Sequence, residues 1–146
     1  MAFIKEIEVR WSDLDANGHV THTAYATFAT HTRVSWMGQI GFSIEKLLAL
    51  GLHGVLLKEQ VEYYREVFLG EKVTVKIHYA GTSLDHARWK FIHEIYKSNG
   101  KLAAVDTVYG AWLDGTSRKM ASPPQGFLDA LDTVEKTSDF EIIGHK

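Results

Sequence analysis

The chain of 146 residues is 45% hydrophobic and sets 16 Lys plus Arg against 18 Asp plus Glu, a net charge of −2; this suits a single domain over 1–146 and leaves no basic footprint for a nucleic acid partner. It has no cysteine, so disulfide frameworks, thiolate metal sites, iron–sulfur clusters and cysteine nucleophiles are excluded together. No apolar run approaches the ~20 residues of a membrane helix, and the start MAFIKEIEVR carries acids where a signal peptide has its hydrophobic region, so a soluble cytoplasmic protein with no membrane partner is expected.

Residues 3 to 11 alternate, with Phe3, Ile7, Val9 and Trp11 on one parity and Glu6, Glu8 and Arg10 on the other, the period of a half-buried strand. Ser12 to His22 breaks that pattern with Asp13, Asp15, Asn17 and Gly18. These residues bond their own backbone or tolerate positive φ, so the segment reads as a loop. From Thr23 to about Ile40 the period becomes helical: Tyr25, Phe28, Ala29, Thr32, Trp36 and Ile40 form one stripe, with Thr27, Thr30 and His31 opposite. Thr21 or Thr23 caps its start and Gly38 or Gly41 its end. A shorter helix from Ser43 to Leu50 closes at Gly51.

Strand patterning then takes over. Val55, Leu57, Val61, Tyr63 and Val67 share one parity up to Gly70, and Val73, Val75, Ile77 and Tyr79 alternate with Lys72, Thr74, Lys76 and His78 before an expected turn at Gly81. Ala87, Trp89, Phe91 and Ile95 run into the hairpin signal Asn99-Gly100. Leu102 to Leu113 is apolar on both parities, which predicts a central strand covered on both faces. Pro123-Pro124 opens a weakly amphipathic stretch with Phe127, Leu128 and Leu131, and the tail from about 132 is polar and without a period. The order of strand, long helix, short helix and four strands packs most simply as an α+β domain, one antiparallel sheet with the long helix against it. Such a sheet leaves open edges, so pairing between subunits is expected.

The stretch with most chemistry runs from Arg10 to Tyr25, between the first strand and the long helix. The first amides of a helix have no internal partner and carry about half a positive charge, so they hold a polarised carbonyl oxygen or an anion well. No Asp or Glu occurs from Ala16 through Ile44, which makes Asp13 and Asp15 the only acids local to that helix start and Asp15 the best candidate for chemistry. Capping of the turn is the structural alternative for Asp15. His19, His22 and His31 have no metal-ligand spacing, so neither a metal site nor another cofactor is expected. Tyr25, Phe28 and Trp36 read as core, Tyr25 with a further chance of touching substrate. Arg118-Lys119 reads as an exposed turn pair.

The pattern Asp13-Leu-Asp15-Ala-Asn-Gly18-His-Val20, followed by Tyr25 on a helix with Arg33 and Trp36, resembles the signature of hotdog-fold acyl-CoA thioesterases of the 4-hydroxybenzoyl-CoA thioesterase type. The resemblance covers roughly residues 3 to 125. It implies the hotdog fold, a five-stranded antiparallel sheet wrapped around one long helix, with two subunits sharing a continuous sheet and active sites at their interface, as a homodimer or homotetramer. It also implies hydrolysis of an acyl-CoA thioester, or of an acyl carrier protein thioester, to the free acid and thiol. Asp15 is then the catalytic carboxylate, as general base or nucleophile, Asp13 is structural, and the amides around His22 and Thr23 form the oxyanion hole. Gly18 lets the loop backbone approach, and His19 and Tyr25 face the substrate with it. Two positions depart from the family pattern: Thr30-His-Thr-Arg33 stands where many members have Glu-x-Ala-Arg, and His22 stands where Asn or Tyr is common. A hydratase or dehydratase using Asp15 with His19 or His22, and a non-catalytic acyl-binding role, are the competing functions on this fold. Tyr63, Tyr64, Phe68 and Trp89 are aromatic candidates for the acyl pocket.

Overall fold

The computed structural model describes residues 3–144. Its elements are β1 (Phe3–Glu8), a 3-10 turn (Trp11–Asp13), α1 (His22–Gln39), α2 (Ile44–Ala49), β2 (Leu52–Tyr63), β3 (Lys72–Ser83), β4 (Arg88–Tyr96), β5 (Leu102–Asp114), α3 (Gln125–Leu131) and β6 (Lys136–Ile143). They form one sheet in the order β1-β3-β4-β5-β2, with β6 also paired to β3. The β1 strand pairs antiparallel with the first half of β3, from Glu8 opposite Lys72 to Phe3 opposite Ile77. The β6 strand continues along the second half in parallel, from Tyr79 to Ser83.

The α1 helix lies on the inner face of this sheet and buries Ala24, Tyr25, Phe28, Ala29, Thr32 and Trp36. That is the expected stripe except at Ile40, which lies past the helix end and is half-buried. Toward the helix start the core gathers Tyr25, Phe28, Val73, Val75, Ile95 and Ala104. Toward its end Trp36, Leu52, Tyr79, Trp89, Trp112 and Phe127 form a second, more aromatic core. Each of these large side chains stabilises the fold by roughly 1.5–3 kcal/mol when fully buried.

Five expectations are corrected. Trp11 leaves the strand and is 81% exposed, because the carboxylate of Asp13 draws the backbone of Arg10 into the 3-10 turn through the Arg10 N–H at 2.8 Å. Leu57 is an extra residue between the pairs Leu56–Gly110 and Lys58–Tyr109, so the bulge moves Val55 to the face opposite Val61 and Tyr63. Gly81 makes no turn but sits inside β3 at a register shift, where a Cβ would stand 2.8 Å from the carbonyl oxygen of Glu141 on β6. The β5 strand lies between β4 and β2 with its inner face buried, while Val105, Thr107, Tyr109 and Leu113 on the outer face are only half-buried. The polar tail from about 132 pairs along β3 as β6, which makes the sheet six-stranded with one parallel pair, whereas the stretch before it folds as the amphipathic α3 that Phe127, Leu128 and Leu131 predict, with Phe127 and Leu131 buried.

Candidate active site

Asp13 ties the loop before α1 at both ends. Its carboxylate accepts from the Arg10 backbone N–H at 2.8 Å, from Nε at 3.3 Å and from the guanidinium NH2 group at 3.0 Å. Its carbonyl accepts from Thr21 N–H at 2.8 Å. With those ends held, the chain between them turns sharply: Asp15 N–H donates to the His19 carbonyl at 2.9 Å, and Gly18 N–H donates to the Asp15 carbonyl at 3.2 Å. Gly18 has φ +84°, the left-handed region a side chain would disfavour.

This turn sets Asp15 beside His19. Asp15 Oδ1 accepts from Asn17 N–H at 2.9 Å, so the turn-capping role is present. Asp15 Oδ2 lies 3.2 Å from His19 Nδ1. On the other side of the ring, His19 Nε2 is 3.7 Å from Glu66 Oε1.

Thr21 occupies the N-cap of α1 without a side-chain cap bond, and its carbonyl accepts from Ala24 N–H at 3.0 Å. Among the described residues the amides of His22 and Thr23 meet no acceptor; the first amides of a helix have no partner within it. Tyr63 Oη donates to the His22 carbonyl at 3.1 Å and packs edge-to-face on Tyr25, with ring centroids 5.4 Å apart. Burial pushes the Tyr25 phenol above its ordinary pKa, so it stays neutral.

A cavity of about 420 Å³ opens at this place. Its wall is made by Asp15, His19 and Val20 of the loop, His22 and Tyr25 of α1, and Tyr63 to Glu66 where β2 ends. Four expected site residues therefore meet: Asp15, His19, His22 and Tyr25. Gly18 and Thr23 are not in the wall, Gly18 lying in the turn and Thr23 exposed on the first turn of α1. Of the aromatic candidates, Tyr63 and Tyr64 line the cavity, and Phe68 stands edge-on to His19 at 6.4 Å. Arg65 and Glu66 were not expected, since nothing in their local sequence distinguishes them from an exposed strand end.

Trp89 belongs to a second cavity, about 380 Å³, at the far end of α1. Its floor is aromatic, from Trp36, Trp89, Phe91, Trp112 and Phe127, and exposed Ile44, Leu48 and Leu56 stand at its mouth. Arg33 is in its wall, 6.0 Å from the Trp89 ring. The guanidinium lies 3.3 Å from His93 Nε2. His93 Nδ1 faces the Asp106 carbonyl at 3.0 Å, so Nδ1 donates and Nε2 accepts. Burial first, then the charge of Arg33, pushes His93 down to about 3. Asp106 is fully buried, and neither of its side-chain oxygens meets a donor among the described residues. Burial first, then the nearby Glu59 carboxylate, pushes it up to about 8, against a smaller opposing effect of Arg33.

No cluster of three or more His, Asp or Glu side chains suited to a metal ion occurs among the described residues. Among the described residues no helix is long and apolar enough to cross a membrane.

Residues 9–131 match the family model described as the thioesterase-like superfamily. Over 119 residues the chain is 27% identical to the acyl-acyl carrier protein thioesterase ATL3, chloroplastic, of Arabidopsis thaliana, covering 81% of this chain and 62% of that relative's length. In structure it is similar to a DHNA-CoA thioesterase from Staphylococcus aureus, with a TM-score of 0.81, 25% identity and 90% and 89% of the two chains covered. It is also similar in fold to the Staphylococcus aureus protein SAV2348 solved in complex with CoA, with a TM-score of 0.84, 21% identity and 100% and 94% covered.

Proposed function

The chain belongs to the thioesterase-like superfamily and has the hotdog fold, and from that membership and the cavity beside Asp15 we propose that it hydrolyses acyl-CoA thioesters to the free acid and CoA. The observation that carries the reading is the placement of a carboxylate, Asp15, in one cavity with the open end of α1. The thioester carbonyl oxygen lies at the His22 and Thr23 amides, which stabilise the oxyanion by ~3–4 kcal/mol per donor if they match other acyl-transfer sites. Asp15 supplies the negative charge that activates water as general base or attacks the carbonyl itself. Tyr25 and His22 orient the acyl group, and Gly18 keeps the turn tight enough to hold Asp15 at the helix mouth.

The working unit in this reading is a homodimer or a pair of homodimers. The β2 strand is an open sheet edge with Leu56 and Leu57 about half exposed, an arrangement that invites strand pairing with a second copy. Within one chain the two cavities are apart, since about 16 Å of helix rise separates Tyr25 from Trp36. Pairing β2 antiparallel with its own copy about the strand's middle sets the Leu52 end of one subunit beside the Tyr63 end of the other. The aromatic cavity of one subunit then receives the acyl group of a thioester held by the other subunit's Asp15.

The carrier proposed is CoA, supported by the DHNA-CoA thioesterase likeness. The Arabidopsis relative favours acyl carrier protein thioesters as a second reading. Free-thiol release from a panel of aromatic, short-chain and medium-chain acyl-CoAs, beside the corresponding acyl carrier protein thioesters, tests both. Hydrolysis of at least one acyl-CoA above the carrier protein thioester is expected. No thiol release, with enoyl-CoA hydration instead, would replace hydrolysis by the hydratase reaction.

A further inference from the structure

The wall of the aromatic cavity holds no Asp or Glu, and its one permanent charge is Arg33 of α1. The other titratable group in that wall, His53 on β2, has its ring against Gly115, where a Cβ would stand 2.8 Å from Nε2. Arg33 lies 3.3 Å from His93 Nε2 and donates to Thr30 Oγ1 at 3.4 Å. Among the described residues no carboxylate comes within ion-pair distance of its guanidinium. Asp106 and Glu59 act on it only from further off. Asp106 is fully buried, with neither oxygen on a donor, and Glu59 is exposed to water. Burial lowers the Arg33 pKa from its ordinary value, against smaller opposing effects of these two acids, and a guanidinium still keeps its charge. A half-buried cation with N–H groups to spare thus stands over a floor of aromatic rings.

We propose that this cavity takes an aromatic acyl group that carries a carboxylate on its ring, and that Arg33 is the residue that selects it. The assignment rests on the thioesterase reading and on the aromatic cavity as its acyl pocket. Trp36, Trp89, Phe91, Trp112 and Phe127 offer faces and edges to a flat ring. A cavity of about 150 Å³ holds a benzene, so the volume of about 380 Å³ leaves room for a ring and its substituent. The planar guanidinium meets a carboxylate through two parallel N–H bonds, whereas an alkyl chain in the same place takes water from the cation and returns no partner. His93 positions the fork: its Nδ1 donates to the Asp106 carbonyl, which leaves Nε2 to accept from Arg33. Hydrolysis of such a thioester by water releases an aromatic dicarboxylate and CoA.

The test is kcat/KM for thiol release from meta- and para-carboxybenzoyl-CoA beside benzoyl-, para-hydroxybenzoyl- and hexanoyl-CoA. In the parent at least one carboxybenzoyl thioester should exceed benzoyl-CoA by about 10–100-fold, the worth of one hydrogen bond to a charged group. Arg33→Gln keeps an N–H for His93 and removes the charge. It should erase that advantage while benzoyl-CoA stays within about threefold of the parent, and Arg33→Lys, which keeps the charge without the fork, should retain part of it. A merely structural Arg33 would lower all substrates alike, so an equal loss across the panel in either variant overturns the assignment. A parent that hydrolyses hexanoyl- or benzoyl-CoA at least as well as both carboxybenzoyl thioesters overturns it too, and leaves thioester hydrolysis standing. A parent that releases no thiol from any acyl-CoA overturns the proposed function and this selectivity together.

Discussion

The indole of Trp89 occupies the place where Gly110, its cross-strand partner on β5, would carry a side chain: a Cβ there would stand 2.0 Å from Cζ2 and 2.2 Å from Cη2. Gly54 does the same for Trp112, with the nearest ring atom at 3.0 Å. These two close approaches let both indoles lie against the sheet and form the aromatic floor of the second cavity. Replacing Gly110 by Ala forces the Trp89 ring out of place and should destabilise the fold by about 1–3 kcal/mol, the usual range for overpacking. Calorimetry should record a fall in Tm of roughly 3–10 °C. A variant as stable as the parent would mean that the ring has room to move.

Asp15→Asn removes the charge and keeps an oxygen for the Asn17 N–H bond. Its melting temperature should stay within about 2 °C of the parent, a change of under ~1 kcal/mol, while kcat for thioester hydrolysis falls by about 10²–10⁴-fold. Steady-state thiol release on the folded variant checks this. Turnover within a few-fold of the parent would return Asp15 to a turn cap only.

Leu56 and Leu57 are exposed on the open β2 edge, and a charge there opposes pairing with a second copy. The double substitution Leu56→Glu with Leu57→Glu should shift the protein to monomer in sedimentation equilibrium and lower activity in the same proportion. A parent that sediments as a monomer at tens of micromolar, yet hydrolyses thioesters, would show that one chain completes the site.

Two buried groups make stability depend on pH with opposite signs. His93, held down to about 3, stays neutral in the fold, whereas an unfolded histidine binds a proton below its ordinary pKa of ~6.5; its effect is a loss of stability as pH falls through that interval. Asp106, raised to about 8, keeps in the fold a proton that an unfolded aspartate gives up above ~3.9. Stability therefore declines as pH rises toward 8, and above the histidine range Asp106 acts without opposition. Urea midpoints should be lower at pH 8 than at pH 6.5, and Asp106→Asn should remove that difference. An unchanged slope in the variant would place the alkaline effect elsewhere.

Much of this molecule is readable from neighbours along the chain. The α1 stripe from Tyr25 to Trp36, the alternation along β3 and β4, and the turn at Asn99-Gly100 follow from periods of about 3.6 and 2 and from turn chemistry, which need no distant partner. The same holds for most of the loop at Asp13, Asp15 and Gly18: apart from Val20 N–H, which donates to the Val67 carbonyl, the backbone bonds that shape its turn stay within the loop, so the position of Asp15 just before a helix mouth is largely a local property.

Other features exist only once distant segments close on one another. The bulge at Leu57 is a matter of register against β5, and a one-residue offset there reverses which side chains face the helix. The tail looks polar by itself, but β3 still has a free edge beyond β1, and pairing along it makes β6 a strand. Glu66 and Arg65 enter the cavity because the end of β2 is carried past the Asp15 turn. Which nitrogen of His19 holds a hydrogen follows from the neighbours the folded turn sets around the ring. Periodicity records which residues favour burial; which surfaces meet depends on long-range pairing, because the free energy of a contact between remote segments appears in neither segment alone.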